Sequence, residues 1–276
     1  MQDLRITTVQ GATLWHDPAG NRDYYGGLIA PLHGTTDVVV LPETFTSGFS
    51  NDAIDRAEDM DGPTVAWMRE QAATLDAAVT GSVQLRTPEG VFNRMLWATP
   101  DGALAHYDKR HLFRYAGEHK RYAAGRERLS VDWRGWRINL QVCYDLRFPV
   151  FCRNRYDAER PGRLDFDLQV FVANWPAARA YAWKTLLRAR AIENLCYVAG
   201  VNRVGRDGNE LDYAGDSAVL DFAGKPLAES ADHEVVSTTT LRAEALQSFR
   251  EHFPAMLDAD RFALDGLPGG EALPPR

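Results

Sequence analysis

From Arg5 to about residue 255, short runs of β-branched and apolar residues alternate with segments whose apolar residues recur at helical spacing, and no linker or low-complexity stretch interrupts them. This alternation predicts a single layered α/β domain over residues 1–255. Strands are expected at Arg5–Gln10, Val38–Leu41, Ala78–Leu85, Val91–Thr99, Ala103–Tyr107, Val131–Trp133, Trp136–Val142, Leu168–Ala173, Tyr197–Val204, Ser217–Phe222 and Val235–Thr240. So many strands require two sheets or one very wide one. Tyr25, Leu28, Ile29 and Leu32 fall on one helical face, and Pro63 starts a helix carrying Val65, Met68, Ala72 and Leu75. Further helices are expected from Pro149 to near Arg160, over Lys184–Asn194 and over Arg242–Phe249. Residues 256–276 form a Pro/Gly-rich tail without the apolar residues for a core of its own.

Composition narrows the function. The chain is 45% hydrophobic with a net charge of −7, ordinary for a globular protein and unsuited to nucleic acid, which needs a basic face. No apolar run approaches the ~18 residues of a membrane span, and the N-terminus shows no basic region followed by an apolar stretch. A cytoplasmic location is the expectation. Cys143, Cys152 and Cys196 make an odd set without CxxC or zinc-type His/Cys spacing, which points to reduced thiols and no structural metal. Nothing in the motifs calls for a cofactor.

Three stretches place reactive groups at strand ends, where α/β sheets present their ligand-facing chemistry. Cys143 follows Ile138–Val142 directly and precedes Tyr144-Asp145-Leu146-Arg147. A strand-to-helix elbow there would aim the Tyr144 N–H at an oxyanion; equally, a cysteine in this setting can be a small core residue. Glu43, after Leu41-Pro42, would be desolvated enough to act as a general base, or would anchor a loop. Lys109, in Tyr107-Asp108-Lys109-Arg110-His111, could stabilise a thiolate or an oxyanion, or could belong to a solvated basic turn.

As an ordered set, Glu43, Lys109 and Cys143 resemble the Glu-Lys-Cys pattern of the nitrilase, or carbon–nitrogen hydrolase, superfamily over roughly residues 3–255. Pro42–Phe49, Tyr107–Arg114, Gly135–Pro149, Asn174-Trp175-Pro176, Arg188–Asn194 and Asn202–Gly205 are closer to its omega-amidase branch, which deamidates 2-oxoglutaramate and 2-oxosuccinamate. The resemblance implies an αββα sandwich that associates through its helical face into αββααββα homodimers or larger assemblies, with a small amide as substrate. It implies thioester chemistry at Cys143, with Glu43 as the proton carrier and Lys109 with the Tyr144 N–H at the oxyanion. Glu118 matches a second glutamate beside the lysine, although a surface-loop carboxylate would read the same way.

Phe45, Phe113 and Trp175 are candidate pocket walls or core residues. Arg147 pairs within the elbow or reads an acid group on the substrate. The basic cluster from Lys109 to Arg114 is the expected source of positive potential for an anionic substrate. A nitrilase, an N-carbamoyl amino acid hydrolase or an aliphatic amidase would carry the same triad, and a non-catalytic scaffold would share the fold.

Overall fold

The computed structural model describes residues 1–156, 164–260 and 262–264. In chain order the elements are β1 (Leu4–Gln10), α1 (Pro18–Ile29), β2 (Val38–Val40), α2 (Pro63–Leu75), β3 (Ala78–Thr87), β4 (Gly90–Ala98), β5 (Leu104–Asp108), β6 (Ser130–Trp133), β7 (Trp136–Val142), β8 (Leu168–Ala173), α3 (Ala180–Asn194), β9 (Tyr197–Asn202), β10 (Val204–Arg206), β11 (Asp212–Ala214), β12 (Ala218–Leu220), β13 (Pro226–Glu229), β14 (Val235–Leu241) and α4 (Ala243–His252).

Two six-stranded sheets result, ordered β14-β1-β2-β3-β4-β5 and β13-β12-β9-β8-β7-β6, with β10 and β11 as a separate hairpin. Each sheet has a parallel trio at its centre, β1-β2-β3 in the first and β7-β8-β9 in the second. The pleat sorts the side chains. Val38 and Val40 enter the core shared with Ile138, Leu140 and Val142 of the other sheet, while Val39 and Leu41 pack outward with Tyr25 of α1 and Met68 of α2. On the far side, Trp183, Leu187 and Ala191 give α3 its buried face. The helix approaches β9 so closely that a Cβ on Gly200 would meet Leu187 at 2.5 Å. The layers are therefore helix, sheet, sheet, helix: the αββα sandwich.

Local signals explain the element ends. Pro18 and Pro63 occupy first-turn positions, and the Asp17 carboxylate caps the Gly20 N–H at 2.9 Å. Arg134 and Gly135, both at positive φ, make the tight turn between β6 and β7.

One expected element does not form over the part of it that is described. Residues 149–156 form turns and a bridge from Tyr156 to Leu164 where a helix was expected to begin; its remainder, 157–160, lies outside the described residues. The segment's polar groups are committed elsewhere. Asn154 exchanges hydrogen bonds with the Phe166 backbone, and its own N–H donates to Asn194 Oδ1. Such side-chain to backbone bonds compete with a helix ladder.

Candidate active site

Glu43 stands just past the end of β2 and is fully buried. Its neighbour Thr44 takes the left-handed backbone conformation (φ 42°), and the Thr44 N–H is held by Ser82 Oγ at 2.9 Å. This turn drives the carboxylate towards the other sheet. Glu43 Oε2 accepts the Asn174 N–H, just after β8, at 2.7 Å. Oε1 accepts from Asn93 Nδ2 of β4 at 2.7 Å and from Lys109 Nζ at 2.9 Å.

Lys109 follows β5 and is 1% exposed. Its carbonyl accepts the Gly125 N–H at 2.9 Å, an approach that only glycine permits, since a Cβ there would lie 2.0 Å from the Asp108 oxygen. The ammonium also donates to both oxygens of Glu118, at 3.1 and 3.0 Å. Glu118 in turn accepts the Phe113 N–H, which fixes the loop from 113 to 118 over the lysine. Burial by itself would lower the Lys109 pKa, but Glu118 and then Glu43 outweigh it and the group is held above its ordinary value as a cation. Burial pushes the Glu118 carboxyl up, with Glu43 adding to it, against the pull of Lys109. One cation thus serves two buried carboxylates.

Cys143 directly follows β7 at φ 45°, in the left-handed region where a non-glycine residue is strained. It opens a single 3₁₀ turn, Cys143–Arg147, in place of the expected helix N-terminus. Asp145 holds that turn from below. Its carboxylate accepts from the Tyr107 hydroxyl at 2.8 Å, the Val142 N–H at 3.1 Å and the His111 N–H at 2.9 Å. Cys143 Sγ lies 4.0 Å from the Asn174 carbonyl oxygen. Burial first, and then the Glu43 carboxylate beside it, push the thiol well above its ordinary value; Lys109 pulls the other way without prevailing. The resting group is therefore a thiol, not the thiolate that a nearby lysine alone would favour.

Above Cys143 and Lys109 opens a cavity of about 480 Å³. Phe113, Tyr144, Trp175, Arg147 and Arg179 are among its lining residues. Phe113 meets Tyr144 edge-on, with ring centroids 5.0 Å apart, and Phe49 lies 5.2 Å from Lys109 Nζ. Glu43, Lys109, Cys143 and Glu118 are thus brought together, with Tyr144, Phe113, Trp175 and Arg147 around them.

Phe45 is the exception. It is fully buried on the outer face of the first sheet, edge-on to Tyr25 and tilted against Trp67, and does not line the cavity. Phe45 joins Val39 and Leu41 on the side that packs against the helices, whereas the Glu43 carboxylate turns towards the other sheet. The basic cluster also behaves differently from expectation. Lys109 is neutralised by its carboxylates, and Arg110 donates to the Gly125 carbonyl and borders a separate small hollow. Arg114 does not line the cavity.

Asn93 and Asn174 were missed as parts of the site. Asn93 reads as one polar residue inside a strand, and its only sequence signal is a buried position on β4 opposite Gln84. Asn174, in Asn174-Trp175-Pro176, had the stronger signal, since it follows a strand that is apolar except for Gln169, much as Glu43 follows an apolar strand.

A carboxylate that can accept a proton, a protonated thiol and a fixed ammonium at the floor of a cavity are the parts of nucleophilic acyl transfer. The carbon-nitrogen hydrolase family model matches residues 5–251. The chain is 47% identical over 265 residues to "Omega-amidase YafV" of Yersinia enterocolitica, covering 96% of this chain and 100% of that relative. It is 33% identical over 225 residues to a 2-oxoglutaramate amidase of Bacillus subtilis, covering 80% and 84%. Among solved structures, XC1258 from Xanthomonas campestris, a CN-hydrolase superfamily protein with an arsenic adduct in its active site, superimposes with a TM-score of 0.94 at 75% identity, covering 96% of this chain and 100% of that one. The chain belongs to the carbon–nitrogen hydrolase family. It is an enzyme of that kind, a hydrolase of carbon–nitrogen bonds other than peptide bonds.

Proposed function

We propose that this protein is an omega-amidase that hydrolyses the terminal amide of short dicarboxylic monoamides such as 2-oxoglutaramate, releasing ammonia through a cysteine thioester. The observation that carries the reading is the buried Glu43–Lys109–Glu118 arrangement set against Cys143 at the floor of a cavity that also presents Arg147. The relatives named omega-amidase and 2-oxoglutaramate amidase support the substrate class.

In this mechanism Glu43 takes the thiol proton as Cys143 Sγ bonds to the amide carbon. The carbonyl π electrons move to oxygen, and that oxyanion is met by Lys109 Nζ and the Tyr144 N–H. Collapse breaks the C–N bond, Glu43 returns the proton to the departing nitrogen, and ammonia leaves a thioester. Glu43 then takes a proton from water, the hydroxide adds to the thioester, and collapse breaks the C–S bond. The thiol recovers its proton from Glu43.

Glu118 holds Lys109 in place, Phe113 and Trp175 form walls, and Arg147 faces the substrate's acid group. Residues 1–255 are taken as one hydrolase domain with 256–276 as its tail. A homodimer in the cytoplasm completes the reading; Tyr181 and Ile192, exposed on α3 at 82% and 53%, support a covered helical face.

Ammonia release from 2-oxoglutaramate, glutamine, a simple nitrile and an N-carbamoyl amino acid tests the proposal with wild type and Cys143→Ala. Selective turnover of the oxo acid amide, abolished in the variant, is the expected result. Preferred turnover of the nitrile or the carbamoyl compound would move the protein to another activity of the family, and no turnover would favour a scaffold.

A further inference from the structure

Arg147 and Arg179 both line the cavity, and neither guanidinium forms an ion pair or a hydrogen bond to another side chain or carbonyl among the described residues. Each is instead laid on an aromatic ring. Arg147 Cζ is 4.9 Å from the Trp175 centroid and Arg179 Cζ is 5.3 Å from the Phe113 centroid. The two are linked through Trp175, whose face carries Arg147 and whose indole N–H donates to the Arg179 carbonyl at 2.9 Å. Stacking fixes the plane of a guanidinium but uses none of its five N–H donors. Two oriented cations with unspent donors therefore border one cavity in a protein of net charge −7. Among the described residues the only acidic lining residue is Asp52, which is exposed and whose charge is felt by His16 beside Arg56.

We propose that Arg147 and Arg179 form a two-cation bracket that binds the carboxylate and adjacent 2-oxo oxygen of the substrate and rejects the 2-ammonium of the corresponding amino acid. This rests on the omega-amidase reading and adds the basis of its selectivity. A 2-oxo acid presents acceptor oxygens at its carboxylate and its ketone, which together span two guanidinium edges. Glutamine has the same length and the same reacting amide but places an ammonium where the ketone oxygen would be. That ammonium offers no acceptor and meets two like charges, a juxtaposition that disfavours the wrong ligand strongly. Arg147 alone would select for an acid; the second cation makes the site choose between oxo and amino acids.

The test is kcat/KM for 2-oxoglutaramate, glutamine and uncharged pentanamide with wild type, Arg147→Gln, Arg179→Gln and Arg179→Lys. Wild type is expected to favour the oxo acid amide over glutamine by on the order of a hundredfold or more. Arg179→Gln should lower the ratio of oxo acid amide to pentanamide about tenfold to a hundredfold, chiefly through KM, and narrow the gap to glutamine. Arg179→Lys should recover part of both ratios. Equal losses on all three substrates, or ratios unchanged in both Gln variants, would overturn the bracket. A wild type that prefers pentanamide or glutamine would sink the functional reading itself, whereas a wild-type preference for the oxo acid that survives both Gln substitutions sinks only the bracket.

Discussion

Two carboxylates bracket β2, Asp37 before it and Glu43 after it, and both reach from the first sheet to the second. Asp37 accepts from the Arg5 N–H at 2.7 Å and from Arg5 Nη2 at 2.8 Å, and pairs with Arg134 in the β6–β7 turn. Glu43 crosses to Asn174 after β8. The difference lies in the charge ratio. Two cations surround one carboxylate at Asp37, so hydrogen bonds from Arg5 and the charge of Arg134 overcome the effect of burial and hold its carboxyl below its ordinary value. At the other end two carboxylates share one ammonium, and a thiol lies against them. The first arrangement is a clamp with its charge locked. The second is short of positive charge and has room for a proton, which suits a site that must move one.

The strongest way to break this contrast is Glu43→Gln. Ammonia release should fall on the order of 10⁴-fold, while stability in urea changes little, because one of two mutually repelling charges is removed. A comparable loss of stability would make Glu43 a clamp like Asp37. Lys109→Met comes next. It leaves two buried carboxylates without a counter-ion, and should cost about 3–5 kcal/mol in unfolding experiments and at least a hundredfold in kcat; retention of full stability would show that the cation was not holding the pair.

Glu118→Gln sharpens the contrast by restoring a one-to-one ratio. Glu118 helps to hold the Cys143 thiol up and Lys109 pulls it down. The pH midpoint of Cys143 alkylation should therefore move down in Glu118→Gln and up in Lys109→Met. Shifts in the same direction would contradict the charge ratio as the cause. Asp37→Asn should have the smallest effect, about 1–2 kcal/mol of stability at neutral pH after allowing for solvent screening, with turnover per folded molecule nearly intact. The Asp37 carboxyl is depressed from 3.8, so its stabilisation is complete above that pH and is lost as pH falls through the lower folded-state value. The wild-type advantage in urea should accordingly shrink below about pH 4; a pH-independent difference would mean that Asn is tolerated for reasons other than charge.

Much of the fold was legible because strand periodicity is a local signal. β7 and β8 run over Trp136–Val142 and Leu168–Ala173, as the apolar runs predict, and two sheets form as the strand count required. The helix expected after Pro149 was not, because Asn154 spends its hydrogen bonds on Phe166 and Asn194, partners 12 and 40 residues away. Phe45 follows the catalytic-looking Glu43 by two residues, yet the left-handed Thr44 between them breaks the pleat and Phe45 packs on the opposite side. The basic cluster looked like one patch of charge, and the structure divides it between a neutralised lysine and an arginine spent on a carbonyl.

The sequence by itself determined which residues end the apolar strands: Glu43, Lys109 and Cys143 follow them by chain order, and hydrophobic periodicity reports chain-local burial directly. Only the tertiary structure decided how many charges would share the site and which cations would border the cavity. Glu43 meets Asn174 across 131 residues where the two sheets pack together, and Lys109 across 66 residues through strands ordered within one sheet. The resulting balance of desolvation and Coulomb energy depends on distances that no local pattern encodes.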